Sequence, residues 1–436
     1  MNLPRLIAIV GLTLRDAVRS RVVISLLAAL LLVLVGLPLL VQSDGTPVGR
    51  LKIILEYALA AAIGLLSVAT LWAGCATMAA ELQDRRLFVV LAKPVRRWEI
   101  WVGKWLGIVL LDAAVLAVTG LVVAALVAAV RPTAGSDPQV EALLAGRDSY
   151  RPDWSASGLA RPDPTAGGDN DKSPMKSVAL LPGHSLDFTF PVSAIAPASP
   201  MELRARIGSS RPNRAPVESV WEFGPPGKPT SVISSTNAPG LSMTLAVPAT
   251  AWSPTGVHVR LINQNERDPT TLVLATGPAG VELLVPRDGF AVNLTRGLLV
   301  VFARLAFLAA LGVTAGCLLS LPVAVFVAAF VLVLIASAGY VQSVAVSGMY
   351  FIPMESDAPE VGWLDRVVLL LFKLMNTVTQ PLNRLAPVPL LADGRRVAWT
   401  VVAQAAVLFG FAYSSVAALF GLWRFTRREV GRAGTD

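Results

Sequence analysis

Apolar positions in this chain follow three patterns: long continuous runs, a helical stripe and short alternating runs. The continuous runs lie at about residues 22–41, 53–80, 105–130, 298–319, 322–347 and 397–423. Crossing a hydrocarbon core of about 30 Å takes roughly 20 residues at 1.5 Å per residue, so these six runs predict six membrane-spanning helices. The first run is too long for a secretory signal, and no small-residue cleavage site follows it. Ahead of it, Leu3, Leu6, Ile7, Val10, Leu14 and Val18 recur at helical spacing, while Arg15, Arg19 and Arg21 lie off that stripe. That pattern predicts an amphipathic helix lying in the headgroup layer and turning into the first span.

Between the third and fourth runs, residues 131–294 are polar and rich in Pro and Gly, which no spanning helix tolerates. Residues 131–174 have little apolar periodicity and read as a loosely ordered linker. From there to residue 294 the period becomes two, in LDFTFPV (186–192), MELRARI (201–207), LSMTLAV (241–247), VHVRLIN (257–263), TTLVLAT (270–276) and VELLVP (281–286). Short alternating runs divided by Pro, Gly and Asn predict an antiparallel β-sandwich, jelly-roll-like in outline. After the fifth span, residues 349–396 contain WLDRVVLLLFKLMNTVTQPL, whose apolar core is short and interrupted by Asp365, Arg366 and Lys373. An interfacial or re-entrant helix pair broken near Pro381 is expected there. The fold class is therefore a mostly α-helical polytopic membrane protein with an inserted extracytoplasmic β-sandwich. Its divisions are 1–130 (the amphipathic helix and spans 1–3), 131–174, 175–294, 295–348 (spans 4 and 5), 349–396 and 397–436 (span 6 and a basic tail).

Charge assigns the sides. Residues 1–21 hold four Arg against one Asp, residues 81–104 six basic against three acidic, and residues 424–436 four against two. Those three segments carry the whole formal excess of +8. An even number of spans places all three on the cytoplasmic face, in keeping with the positive-inside bias, with both termini inside. Residues 131–294, with 14 basic and 15 acidic residues, then lie outside the cytoplasmic membrane. The pI near 9.9 is thus a topology signal rather than a nucleic-acid footprint. A composition of 54% hydrophobic and 15% charged residues leaves too few charges for a water-solvated surface.

Chemistry is sparse. The two cysteines, Cys75 and Cys317, fall inside predicted spans, and His184 and His258 lack metal-ligand spacing, so neither a disulfide framework nor a zinc site is expected. The loop GPPGKPT (224–230) lacks the P-loop spacing and reads as a turn. No serine has a GxSxG context, and the sequon at Asn293 is a short motif that arises by chance. No catalytic, cofactor or metal site is expected on this chain. Asp112 and Arg304 are ionisable residues inside spans, which must face the bundle interior or water; either they pair and pack, or they line a substrate path.

Residues 81–107, ELQDRRLFVVLAKPVRRWEIWVGKWLG, carry nine charges between two apolar runs. They predict a charged helical turn, a break at Pro94 and a second helix running into the third span. Lys93, Arg96 and Arg97 would cluster at the bend, and Trp98, Trp101 and Trp105 would anchor at the headgroups. The stretch resembles the membrane subunits of ABC-2 type transporters, particularly permeases of the NosY type. The matching residues are Glu81; Arg85 and Arg86; Leu91, Pro94, Val95 and Arg97; and Gly103, Lys104 and Gly107. The resemblance implies a coupling helix, with Arg96 in its basic cluster, docking on a separate ABC ATP-binding subunit that holds ATP and Mg. It also implies an exporter permease working with a second permease copy in the membrane lipid. The large insertion departs from the minimal pattern and leaves open a periplasmic or cell-wall partner through 175–294. Two alternatives remain beside the transporter: an ATP-driven mechanotransmission complex, and a motor-free membrane-anchored binding or scaffold protein.

Overall fold

The structure is a computed structural model that describes residues 3–41, 45–83, 96–135, 137–153, 161–162, 177–192, 201–209, 216–225, 228–265, 271–275, 280–337 and 363–427. It divides into a helical unit (residues 1–140, 291–393 and 397–436) and a β unit (residues 141–290 with 394–396).

In the helical unit, α1 (Leu3–Arg19) ends where Ser20 turns extended, and α2 (Arg21–Leu40) follows at once. Next come α3 (Pro47–Lys52), a π-helical stretch (Ile53–Ala58) and α4 (Leu59–Gln83). After these comes α5 (Arg97–Ala134), then α6 (Pro138–Leu144), whose residues 141–144 already belong to the β unit. Beyond the β unit lie α7 (Phe290–Leu318), α8 (Leu321–Ala336), α9 (Trp363–Arg384) and α10 (Pro387–Ala392). The last helix is α11 (Trp399–Ala405), continued by a π-helical stretch (Ala406–Tyr413) and α12 (Ser414–Arg427). Five helical stretches are long and apolar enough to cross a membrane: Arg21–Leu40, Pro47–Ala79, Arg97–Pro132, Phe290–Leu318 and Trp399–Arg427. α8 is apolar but has 16 residues, and the rest of the fifth expected span, 338–347, lies outside the described residues.

Small residues set the closest helix contacts, because without a bulky side chain two backbones can approach. A Cβ on Gly74 of α4 would stand 2.9 Å from the Gly312 Cα of α7, and one on Gly316 would stand 2.6 Å from the Cys75 carbonyl oxygen. The two backbones therefore touch. Met78, Ile100, Trp101, Ile108, Val313, Cys317 and Phe425 fill one core among α4, α5, α7 and α12.

The β unit contains twelve strands among its described residues, in two antiparallel sheets. The strands are β1 (Gly146–Tyr150), β2 (Arg161–Pro162), β3 (Ser177–Leu180), β4 (Ser185–Phe190), β5 (Met201–Ser209), β6 (Val217–Phe223), β7 (Ser231–Asn237), β8 (Ser242–Val247), β9 (Trp252–Ser253), β10 (Gly256–Asn263), β11 (Leu272–Ala275) and β12 (Val281–Asp288). One sheet has the order β1-β12-β5-β11-β3-β2, with β8 on the other edge of β5; the second has the order β4-β10-β6-β7, with β9 on β10. Alternate residues of both sheets, including Phe188, Trp221, Leu203 and Leu283, share one apolar core, which makes the unit a sandwich.

Several sequence expectations need correction. Residues 138–150, read as linker, form α6 and β1, and β1 pairs with β12 from Gly146↔Asp288 to Tyr150↔Leu283. Helix α7 begins at Phe290, inside the range assigned to the sandwich. α9 runs through position 381, and the break falls after Arg384, where Pro387 begins α10 and the preceding Ala386 is extended (φ −75°, ψ 116°). Residues 394–396 belong to the β unit instead of to an interfacial helix pair.

Candidate functional site

α4 and α5 lead into and out of residues 84–95, and the residues flanking that segment are built into the bundle. Expected site residues Arg85, Arg86, Leu91, Pro94 and Val95 lie outside the described residues. The remaining ones do not scatter. Lys104 Nζ meets Glu81 Oε1 at 2.6 Å, with side-chain exposures of 3% and 22%. The same ammonium donates to the Thr77 carbonyl at 2.8 Å, so one lysine joins α5 to the last turn and a half of α4. A buried ammonium is tolerable only with such partners.

Gly103 and Gly107 serve a different neighbour. A Cβ on Gly103 would stand 2.7 Å from Ile9 Cγ2, and one on Gly107 would stand 2.8 Å from Thr13 Cβ, so both glycines open α5 to close approach by α1. In consequence α1 packs through Leu6, Thr13 and Ala17, while Leu3, Ile7 and Val18 of the expected stripe are exposed. The apolar stripe is therefore split between a protein-facing and an outward-facing side.

At the start of α5, the Arg96 N–H donates to Glu99 Oε2 at 3.1 Å, fixing the first turn, and the Arg96 side chain is exposed. Arg97 points elsewhere. Its Nη1 donates to the carbonyls of Phe425 (2.5 Å) and Thr426 (2.9 Å), and its guanidinium lies 5.6 Å from the Phe425 ring centroid. A cation on the last carbonyls of α12 also complements that helix's negative end. The expected headgroup anchors are corrected as well. Trp101 is buried and stacks on Trp105, whose indole N–H donates to the Ala306 carbonyl at 2.8 Å, so both serve packing between helices.

Asp112 and Arg304 do not pair. Asp112 is 2% exposed, and its Oδ1 lies 2.8 Å from Thr70 Oγ1 on α4. Arg304, on α7, is half-buried and forms no hydrogen bond or ion pair among the described residues. Asn293 of the sequon is buried in α7 and accepts from the Val397 N–H at 2.7 Å, so it is no glycan acceptor in this fold.

Sequence reasoning missed an ionic network in the β unit. Residues 394–396 lie parallel to β1: the Arg147 N–H donates to the Gly394 carbonyl at 3.1 Å, and the Arg396 N–H donates to the Arg147 carbonyl at 2.8 Å. Arg395 Nη2 meets Glu282 Oε1 at 2.8 Å, and Arg396 reaches both Asp148 (3.1 Å) and Asp288 (2.5 Å). Arg147 is fully buried against Glu202, which Arg204 also holds. Burial pushes the Arg147 guanidinium's pKa down from its ordinary value, and Glu202 opposes that shift. Gly394, at φ 65°, permits the turn, and a side chain there would meet the Leu143 carbonyl at 2.7 Å. The partners are up to 248 residues apart in sequence, which is why no local pattern announced them.

On the opposite sheet, Asp187, Thr189, Glu222, His258 and Arg260 line a shallow cleft of about 190 Å³. His258 Nδ1 lies 2.8 Å from Thr189 Oγ1, and Arg260 is paired with Asp187 at 2.6 Å, which raises the Arg260 pKa through the hydrogen bond and the charge. Among the described residues, no group of three metal-ligating side chains occurs. Comparison with protein-family models, with curated proteins and with solved structures finds no match to this chain in any of the three.

Proposed function

We propose that the chain is the membrane subunit of an ATP-driven transporter of the ABC-2 type, with six spans, working as an exporter. Residues 81–104 carry the contact with a separate ATP-binding subunit, on the cytoplasmic side. The observation that supports the reading best is the Glu81–Lys104 lock, because it makes the two helices flanking residues 84–95 one stiff body. A push on the intervening segment would then move α4 and α5 together, and through Gly103 and Gly107 it would move α1 as well. Arg97 is engaged inside the bundle, so Arg96, whose side chain is exposed, is the better candidate for the partner's surface.

A second reading, an ATP-driven mechanotransmission complex, is favoured by two features of the β unit's attachment. β12 ends at Asp288 and α7 begins at Phe290, with only Gly289 between them. Residues 394–396, just ahead of the last span, are held to β1 by the ionic network.

Affinity purification of the full-length chain from its native membrane is the test. An ATP-hydrolysing subunit should co-purify, and Arg96→Glu should release it without lowering the melting temperature. If no such subunit accompanies the wild-type chain, both motor readings fail and the motor-free scaffold stands. Sidedness has its own reporter, because Cys75 and Cys317 are buried and will not compete for label. Ser234→Cys on β7 should react with an impermeant maleimide from outside intact cells; reaction only after lysis overturns the topology.

A further inference from the structure

Asp112 is a buried carboxyl that takes no part in the Glu81–Lys104 contact. It stands about 22 Å along α5 from Arg97 at 1.5 Å per residue, well inside the span. Among the described residues its Oδ2 has no hydrogen-bond partner, and the nearest charges on the adjoining α1 are Asp16 and Arg19, which line a cavity with Val23 and Ala73. The charged residues nearest in sequence on α4 and α5, Glu81 and Lys104, are committed to each other. Apolar Ala73, Leu111, Leu14, Val23, Leu27 and Val115 pack alongside.

Among the described residues Asp112 makes one side-chain polar contact, to Thr70. Thr70 Oγ1 lies 2.8 Å from Asp112 Oδ1 and also 2.8 Å from the Leu66 carbonyl, which can only accept. A hydroxyl has one proton to donate. If that proton goes to Leu66, as is usual for threonine within a helix, an ionised Asp112 would face an oxygen lone pair at hydrogen-bond distance. If the carboxyl carries a proton instead, both short contacts become hydrogen bonds: Asp112 Oδ1–H donates to Thr70, and Thr70 donates to Leu66.

We propose that Asp112 is a proton-binding site inside the helical unit, occupied in this structure's arrangement and hydrogen-bonded as donor to Thr70 across the α4/α5 contact. Losing the proton would leave a buried carboxylate with at most the single Thr70 proton, which the Leu66 carbonyl also draws, and with Oδ2 unmet among the described residues, and so would favour separation of α4 from α5. The proposal does not depend on the transporter reading, since it concerns two hydrogen bonds rather than any partner.

Infrared spectroscopy of the full-length protein in phosphatidylcholine vesicles at neutral pH tests it. The wild type should show the carbonyl stretch of a protonated carboxylic acid, and Asp112→Asn should lack it. Thr70→Val, which removes the acceptor, should keep the band but move it to higher frequency. Because the amide of Asn can donate to Thr70 as the neutral acid does, Asp112→Asn should melt where the wild type melts. A wild-type spectrum with no such band overturns the proposal, as does a band that Thr70→Val leaves in place. So does Asp112→Asn melting well away from the wild type: a rise would report relief of a buried charge, and a collapse would show that the neutral isostere is no substitute.

Discussion

The Glu81–Lys104 pair lends itself to an asymmetric test, because its two members differ in exposure, 22% against 3%. At 2.6 Å and an effective dielectric of about 20, their gross attraction is about 6 kcal/mol, most of which offsets the cost of taking both charges out of water. Glu81→Met leaves the buried ammonium with the Thr77 carbonyl and the charge of Asp16 but no contacting carboxylate among the described residues, so it should cost about 3–5 kcal/mol, the usual penalty for breaking a buried pair. Lys104→Met keeps the aliphatic stem. It leaves a carboxylate on the wall of a 290 Å³ cavity also lined by Asp16, Arg19 and Ser20, where water can reach it. Its cost should be only about 1–3 kcal/mol. Glu81→Met combined with Lys104→Met removes both charges and should be close to neutral, with a double-mutant coupling of several kcal/mol. Apparent melting temperatures of the purified full-length variants, followed by tryptophan fluorescence, give the ranking. Equal losses in the two single variants, or a double variant as poor as their sum, would refute the reasoning that the pair is one buried unit.

Other expectations follow from single contacts. Gly74→Ala should lose about 1–3 kcal/mol, because its Cβ would meet Gly312 backbone that has no flexible end to move, whereas Gly64→Ala on the same helix, with open space around it, should be neutral or slightly stabilising. A comparison of melting temperatures separates the two. Arg395→Ala with Arg396→Ala should raise amide hydrogen exchange at residues 146–149 and 394–397 while leaving β10 protected, which mass spectrometry can localise. Trp221→Ala empties the sandwich core where the indole meets Phe188 edge-on at 6.3 Å; it should cost about 3–5 kcal/mol and remove near-ultraviolet dichroism from that site.

Long apolar runs are legible because crossing a hydrocarbon core would require a set length, and five of the six expected spans coincide with helices long and apolar enough to cross one. β5, β8 and β10 were equally legible from strict alternation. Sequence pattern says less where the deciding residue is small or remote. Hydrophobic periodicity gives no weight to Gly103 and Gly107, yet they determine which face of α1 meets protein. β6 lacks a legible pattern because Val220 and Trp221 are both buried, which breaks the alternation. β1 hid in a polar stretch because its partners are charged and far along the chain. At the candidate site, Glu81 and Lys104 were both chosen from sequence, but as separate members of a motif; their salt bridge needed two helices side by side.

Residues 394–396 also bear on modularity. Residues 141–290 look like an insert that could be cut out and replaced by a short linker, but three residues from beyond the insert are part of its structure. Excision would strip Arg395 of Glu282 and Arg396 of Asp148 and Asp288, leaving two cations without these carboxylates just ahead of the last long apolar helix. A truncated protein that failed to assemble would then report the stranded arginines rather than the missing sandwich. A graft of this unit onto another membrane chain must accordingly carry two separate pieces of sequence, and a clean deletion must neutralise Arg395 and Arg396 at the same time.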